Sequence, residues 1–297
     1  MKSRILYLSL CSALAACGGA DTVDKAPALV IGGEDAGASP ASLYQMPTPN
    51  ELFSLVKEMA GEGHKRMLNP SSNADRYVTL RARAFNFGVY STDLVYASCF
   101  KLNVEVARYY LTTKKLAESL GITGAFTDND FVRLEGNLTR GDSLEVISND
   151  GYMAAYAKLQ EEAMGPTLAI VLAGGWVESM HLVMRQIEAF GKNEALMTRV
   201  AEQKVTLEHL LLLMGAYESD PEVAGLYKEL VTIRDIYDQV NVKRVAHEGA
   251  STSGRMVLGD DIQMDLTAEK YNELVQAVDR LRAAWTAVED KTNVSAS

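Results

Sequence analysis

The stretch "GPTLAIVLAGGWVESMHLVMRQIEAFGKN" (residues 165–193) carries both ends of a helix and most of its buried face. Gly165-Pro166 opens it, because proline fits the first helical turn, where a missing N–H leaves nothing unpaired. Gly191 ends it, and Asn193 caps the helix that starts at Glu194. Between these marks the most apolar stretch, Leu168 to Val177, stops at Glu178 after ten residues. A membrane span needs ~20 apolar residues, so the run reads as the interior of a packed helical domain. Gly174 and Gly175 leave room for a second backbone to come close.

The same punctuation recurs on both sides. Thr48-Pro49-Asn50-Glu51 is a capping box with proline at the first helical position, and Asp220-Pro221 repeats the polar-then-proline start. Gly121 follows Leu120 and precedes Ile122, the pattern of a glycine helix end with an apolar residue beyond it. Gly141 closes a helix, and Asp142-Ser143-Leu144-Glu145 caps another. Helices are expected near 49–60, 74–97, 103–120, 128–138, 143–164, 166–189, 194–216, 221–241 and 266–289. The class is all-α. Short links favour an antiparallel multi-helix bundle over residues 48–297. With no convincing repeat of fixed period, a helical-repeat solenoid is the alternative. An irregular insert at 247–264, with Gly249, Gly254 and Gly259, reads as a loop or small hairpin.

The start of the chain reads as an address. Lys2 and Arg4 precede twelve uncharged residues, Ile5 to Ala16, which suits the apolar core of a signal peptide. Leu14-Ala15-Ala16-Cys17 resembles the bacterial lipobox. That resemblance implies removal of residues 1–16, a diacylglyceryl group on Cys17 and a further acyl chain, such as palmitate, on the new amino terminus. Residues 17–47, rich in Gly, Ala, Asp and Pro, then form a flexible lipidated tether. Acyl chains contribute ~0.8 kcal/mol per buried methylene, enough together for stable anchoring without a transmembrane helix. The expected location is the bacterial cell envelope, and Gly18 after the cysteine points to the outer membrane, facing the periplasm or the cell surface.

Composition narrows the partners. Without Lys2 and Arg4 the chain keeps 27 basic against 39 acidic residues, a net charge of −12. With no Lys/Arg block, nucleic acid and an anionic membrane face are poor partners. Of three cysteines, Cys11 leaves with the signal and Cys17 takes lipid, so Cys99 has no disulfide partner within the chain. At 47% hydrophobic residues the stability is expected to come from a core.

The tracts "FNFGVYSTDLVYAS" (85–98) and "LAGGWVESMHLV" (172–183) resemble an uncharacterised group of all-helical bacterial lipoproteins common in Bacteroidota. The likeness extends over residues 48–215. It implies the fold and the address, and no activity.

Candidate chemistry is sparse. Glu178-Ser179-Met180-His181 has the Glu-x-x-His spacing of a di-iron bundle, which needs a second copy on another helix. His64, His209 and His247 have no acidic residue three positions before them, so no metal and no cofactor are expected. Asp128-Asn129-Asp130 begins like a calcium loop but lacks its glycine and closing glutamate, and reads as a helix cap. The segment "HEGASTSGRM" (247–256) has the glycines and hydroxyls of an anion cradle and equally the composition of a linker. P-loop, Gly-x-Ser-x-Gly and Cys-x-x-Cys motifs are absent from the sequence.

Two polar stripes remain. Asn86, Tyr90, Asp93 and Ala97 share one helix face, beside a small-residue seam of Gly88, Thr92 and Val95. With Glu178 and His181 they read as a polar pocket for a small ligand or as a hydrogen-bonded core network. Pairing the helices 166–189 and 194–216 about residue 191 puts Glu178 level with Lys204, so a salt bridge between these two is expected, with His181 close by. The resulting function is a lipid-anchored, non-enzymatic module that binds an envelope protein or a small ligand. The alternatives are an acid/base or metal enzyme using Asp93, Glu178 and His181, and a structural spacer.

Overall fold

The computed structural model describes residue 53 and residues 62–122, 124–138, 144–161, 163–187, 191, 193–240, 242–246, 260–264 and 266–289. Cys17, the lipobox, the tether, the expected helix start at Thr48-Pro49 and the 247–256 segment lie outside the described residues.

In chain order the helices are α1 (Leu80–Cys99), α2 (Asn103–Ser119), α3 (Asp128–Asn137), α4 (Leu144–Glu161), α5 (Gly165–Gln186), α6 (Glu194–Gly215), α7 (Pro221–Tyr237) and α8 (Ala268–Trp285). Short 3-10 turns at Lys65–Met67 and Ser71–Arg76 precede them. Two strands, β1 (Val242–Ala246) and β2 (Asp260–Met264), pair antiparallel from Val242↔Met264 to Ala246↔Asp260. The class is all-α with this one hairpin among the described residues. The helix expected over 221–241 stops at Tyr237, and turn residues 238–240 follow it ahead of the first strand.

The expected punctuation accounts for several helix ends, although α5 stops at Gln186, ahead of Gly191. Pro221 follows Asp220, whose side chain accepts from the Glu222 N–H at 2.8 Å. The Asn193 side chain accepts from the Leu196 N–H at 3.1 Å, two residues after Gly191 takes φ +81°. Gly121 takes φ +77°, a left-handed conformation that only glycine adopts at no steric cost, and the Ile122 N–H reaches back to the Ala117 carbonyl at 2.8 Å. Asp128-Asn129-Asp130 is part of a capping box: Thr127 and Asp130 exchange side-chain-to-backbone bonds.

One boundary departs clearly. The helix expected from 74 begins at Leu80, because Ser71–Arg76 winds as a 3-10 turn and Thr79 caps the α-helix through the Ala82 N–H at 3.2 Å.

The interior is built on α1 and α5. Every residue from Ala84 to Cys99 and from Thr167 to Met184 is buried, so neither helix has a solvent face. By length and composition α5 is the one described helix able to cross a membrane, and 94% of its apolar 18-residue window is buried inside the protein, as in a core helix. Its partners are α1, α4, α6, α7 and α8.

Glycine sets how closely α1 and α5 meet. A Cβ on Gly88 would stand 2.1 Å from the Val171 carbonyl oxygen, and one on Gly174 would stand 2.1 Å from that of Phe85. The two backbones are therefore in direct contact, as the small-residue seam implies. Farther along, the Thr92 hydroxyl reaches the Gly175 carbonyl at 3.4 Å. Side chains that follow within about a turn, Asp93 on α1 and Glu178 on α5, are carried into the same buried space.

Candidate functional site

Asp93 and Glu178 are both fully buried. A carboxylate in that position is costly unless paired, and the pairing comes from α8. Arg282 donates from Nε to Oε2 of Glu178 at 2.5 Å and from Nη2 to Oε1 at 2.7 Å. The same Nη2 points at the Met67 carbonyl, 3.4 Å away. Burial acts to lower the Arg282 pKa, but Glu178 and Asp93 outweigh it and hold the guanidinium charged.

Asp93 is served differently. Its Oδ2 accepts from the Asn69 backbone N–H at 3.1 Å, while its Oδ1 is buried without a hydrogen-bond partner. Burial raises its pKa well above the ordinary carboxylate range, and the neighbouring Glu178 raises it further against the opposing pull of Arg282.

Asn69 is the hub of the surrounding network. Its Nδ2 donates to the Tyr77 hydroxyl at 3.1 Å and to Oδ1 of Asn86 at 3.3 Å, and its carbonyl accepts from the Tyr109 hydroxyl at 2.7 Å. Tyr90 donates to the Pro70 carbonyl at 2.7 Å. Asn86 Nδ2 donates to the Trp285 carbonyl at 3.0 Å, and Tyr77 to that of Thr286 at 3.0 Å. These bonds tie the irregular 67–77 segment and the end of α8 to α1. Burial raises the Tyr77, Tyr90 and Tyr109 pKa values, so these phenols are neutral donors.

Of the residues singled out in the sequence, Asn86, Tyr90, Asp93 and Glu178 thus share one network. His181 lies at its edge: Nδ1 is 3.0 Å from Oδ1 of Asp279, and Arg185 binds the other oxygen of the same carboxylate. Burial acts to raise the Asp279 pKa, but the His181 bond and the Arg185 charge hold it below the usual range.

The expected Glu178–Lys204 salt bridge is not formed. Lys204 Nζ pairs with Asp238 at 2.9 Å and approaches Glu208 at 3.9 Å. Levels along two neighbouring helices say nothing about azimuth: Glu178 points from α5 toward α1 and α8, whereas Lys204 points from α6 toward the end of α7.

Asn69 and Arg282 lie outside the two polar stripes of the sequence. Arg282 had a signal. It lies four residues after Val278 on the stripe of Tyr271, Leu274 and Val278, all buried, where a lone cation calls for a buried anion. Asn69 sits in an irregular segment without periodicity.

Beside the network, a half-open cleft of about 340 Å³ is lined by Arg81, Ala82, Glu229, Trp285, Val288 and Glu289 among others. Trp285 packs on Phe85 with ring centroids 5.4 Å apart, and the Arg81 guanidinium lies 5.1 Å from the Trp285 ring centroid. Its indole N–H donates to Glu229 at 3.0 Å. No group of three or more His, Cys, Asp or Glu side chains with metal-ligand geometry occurs among the described residues. The chain matches no protein-family model, no curated protein and no solved structure.

Proposed function

We propose that this chain is a lipid-anchored protein of the bacterial cell envelope whose all-α domain is a non-enzymatic module for binding an envelope protein or a small ligand. The observation that carries the non-catalytic reading is the enclosure of the carboxyl pair. A general acid or base must come within hydrogen-bond reach of the proton it moves. Asp93 and Glu178 have no exposed surface, both Glu178 oxygens are held by Arg282, and His181 is turned to Asp279. The cleft at Trp285 supports binding, since it combines an aromatic wall with charged groups on an open, concave surface.

Anchorage rests on the sequence: the basic start, the uncharged run to Ala16 and the lipobox ending in Cys17. The test is Cys17→Ser in a bacterial host with lipoprotein processing. The variant is expected to leave the membrane fraction and to keep residues 1–16. Membrane association and processing unchanged from wild type would contradict the anchor. Metal analysis of the purified protein tests the rest: stoichiometric iron, manganese or zinc would favour the enzyme alternative.

A further inference from the structure

We propose that Asp93 and Glu178 form a buried proton-binding site, in which one exchangeable proton lies between Oδ1 of Asp93 and the Glu178 carboxylate and Arg282 supplies the counter-charge. The geometry rests on two observations. Both carboxyl groups are sealed from solvent. Asp93 Oδ1 is buried and accepts no hydrogen bond, although its other oxygen is held by Asn69. A carboxyl O–H at that position turns an orphaned acceptor into a donor aimed at the neighbouring carboxylate, which removes the cost of leaving it unpaired.

Charge balance requires the same proton. Around the pair stand Tyr90 and Tyr96 from α1, Tyr77 from the 67–77 segment, and Tyr109 from α2 with Glu105 and Arg108 behind it. From α8 come Arg282 and, farther out, Asp279. The tyrosines are neutral, and Arg108 is bound to Glu105 at 2.6 Å. That leaves one guanidinium against two carboxyls. With a proton the triad is neutral. When the proton leaves to water, a net buried negative charge remains with no partner, and like charges at such range do not both ionise readily. For Asp93, burial and the nearby Glu178 both favour the protonated form. Asp93 also fixes the backbone of Asn69, so occupancy of the site is linked to the seating of the 67–77 segment.

Infrared spectroscopy of the purified full chain tests this through the stretching band of protonated carboxyl groups at neutral pH. Wild type is expected to show one such group. Asp93→Asn and Glu178→Gln are nearly isosteric, and each leaves one carboxylate for Arg282, so each is expected to lose the band entirely. Absence of the band from wild type overturns the proposal, as does its survival in Asp93→Asn. Survival in Glu178→Gln overturns it too, since Asp93 would then keep its proton through burial alone, without the pair.

Discussion

Glu178 and Arg282 meet through two parallel bonds of 2.5 and 2.7 Å, although 104 positions of sequence separate them. This fork is the strongest geometry available to a carboxylate and a guanidinium. It explains why a glutamate stands in the middle of α5, where every neighbour from Thr167 to Met184 is buried. It also fixes α8 against α5, with Arg185 and His181 adding a second joint at Asp279 one turn farther on.

The approach of α1 to α5 makes the first prediction. Gly88→Ala and Gly174→Ala would each place a methyl group 2.1 Å from a carbonyl oxygen of the facing helix. The helices must part, at a cost of about 1–3 kcal/mol or more. The gain of ~1 kcal/mol in helix propensity from Gly to Ala is too small to offset it. Gly175→Ala meets nothing nearer than 3.4 Å, at the Thr92 hydroxyl, and is expected within ~1 kcal/mol of wild type. Gly225 on α7 has open space around its Cβ position, so Gly225→Ala should stabilise by up to ~1 kcal/mol. Urea midpoints of the four variants check this, and equal losses at Gly88 and Gly175 would refute the close contact.

Stability should fall as pH rises above the ordinary carboxylate range. The pKa of Asp93 is raised in the folded chain, so above the ordinary value of ~3.9 the unfolded chain gives up a proton that the folded one retains. The loss is at most ~1.4 kcal/mol per pH unit and continues up to the raised pKa. Asp279 and Glu289 act in the opposite sense: their pKa values are lowered, so their contribution is complete above the ordinary carboxylate range and is lost as pH falls through the lowered values. Denaturant midpoints from pH 5 to 9 should therefore decline for wild type relative to Asp93→Asn. Parallel curves for the two proteins would exclude the linkage.

The start of α1 is capped from the far end of the chain. Glu289 accepts from the Val78 N–H at 2.6 Å, the Thr79 N–H at 2.9 Å and the Thr79 hydroxyl at 2.7 Å, while Thr79 itself caps Ala82. Burial acts against the charge of Glu289, yet these three donors hold its pKa below the ordinary value. A carboxylate there also meets the positive end of the helix. Thr79→Ala and Glu289→Ala are each expected to cost about 0.5–2 kcal/mol, and the double variant less than their sum, because they remove one shared cap. Chemical denaturation of the three variants decides it, and strict additivity would show two independent effects.

Helix ends were legible in the sequence where a single residue type settles the matter. Gly121, Asn193 and Asp220-Pro221 each mark their boundary because the required conformation or cap is local. The start of α1 was not, because the residues from 71 to 76 can wind either way and the choice is made by buried Asn69 and by Glu289, 210 positions from Thr79. The polar face of α1 was legible by spacing. Its partners were not: Asn69 lies outside any periodic segment, and Arg282 is joined to Glu178 only by the fold. Lys204 shows the limit most plainly, since level along a helix hairpin is readable and azimuth is not.

The Glu178–Arg282 pair is the centre of this architecture, and a double-mutant cycle measures it most directly. Glu178→Gln and Arg282→Met are compared singly and together by urea denaturation at neutral pH. Arg282→Met strands a buried carboxylate and is expected to lose on the order of 3–5 kcal/mol. Glu178→Gln breaks the two-bond fork but leaves Asp93 as counter-charge and is expected to lose less, and the double variant clearly less than the sum. Additive losses would contradict a coupled buried pair.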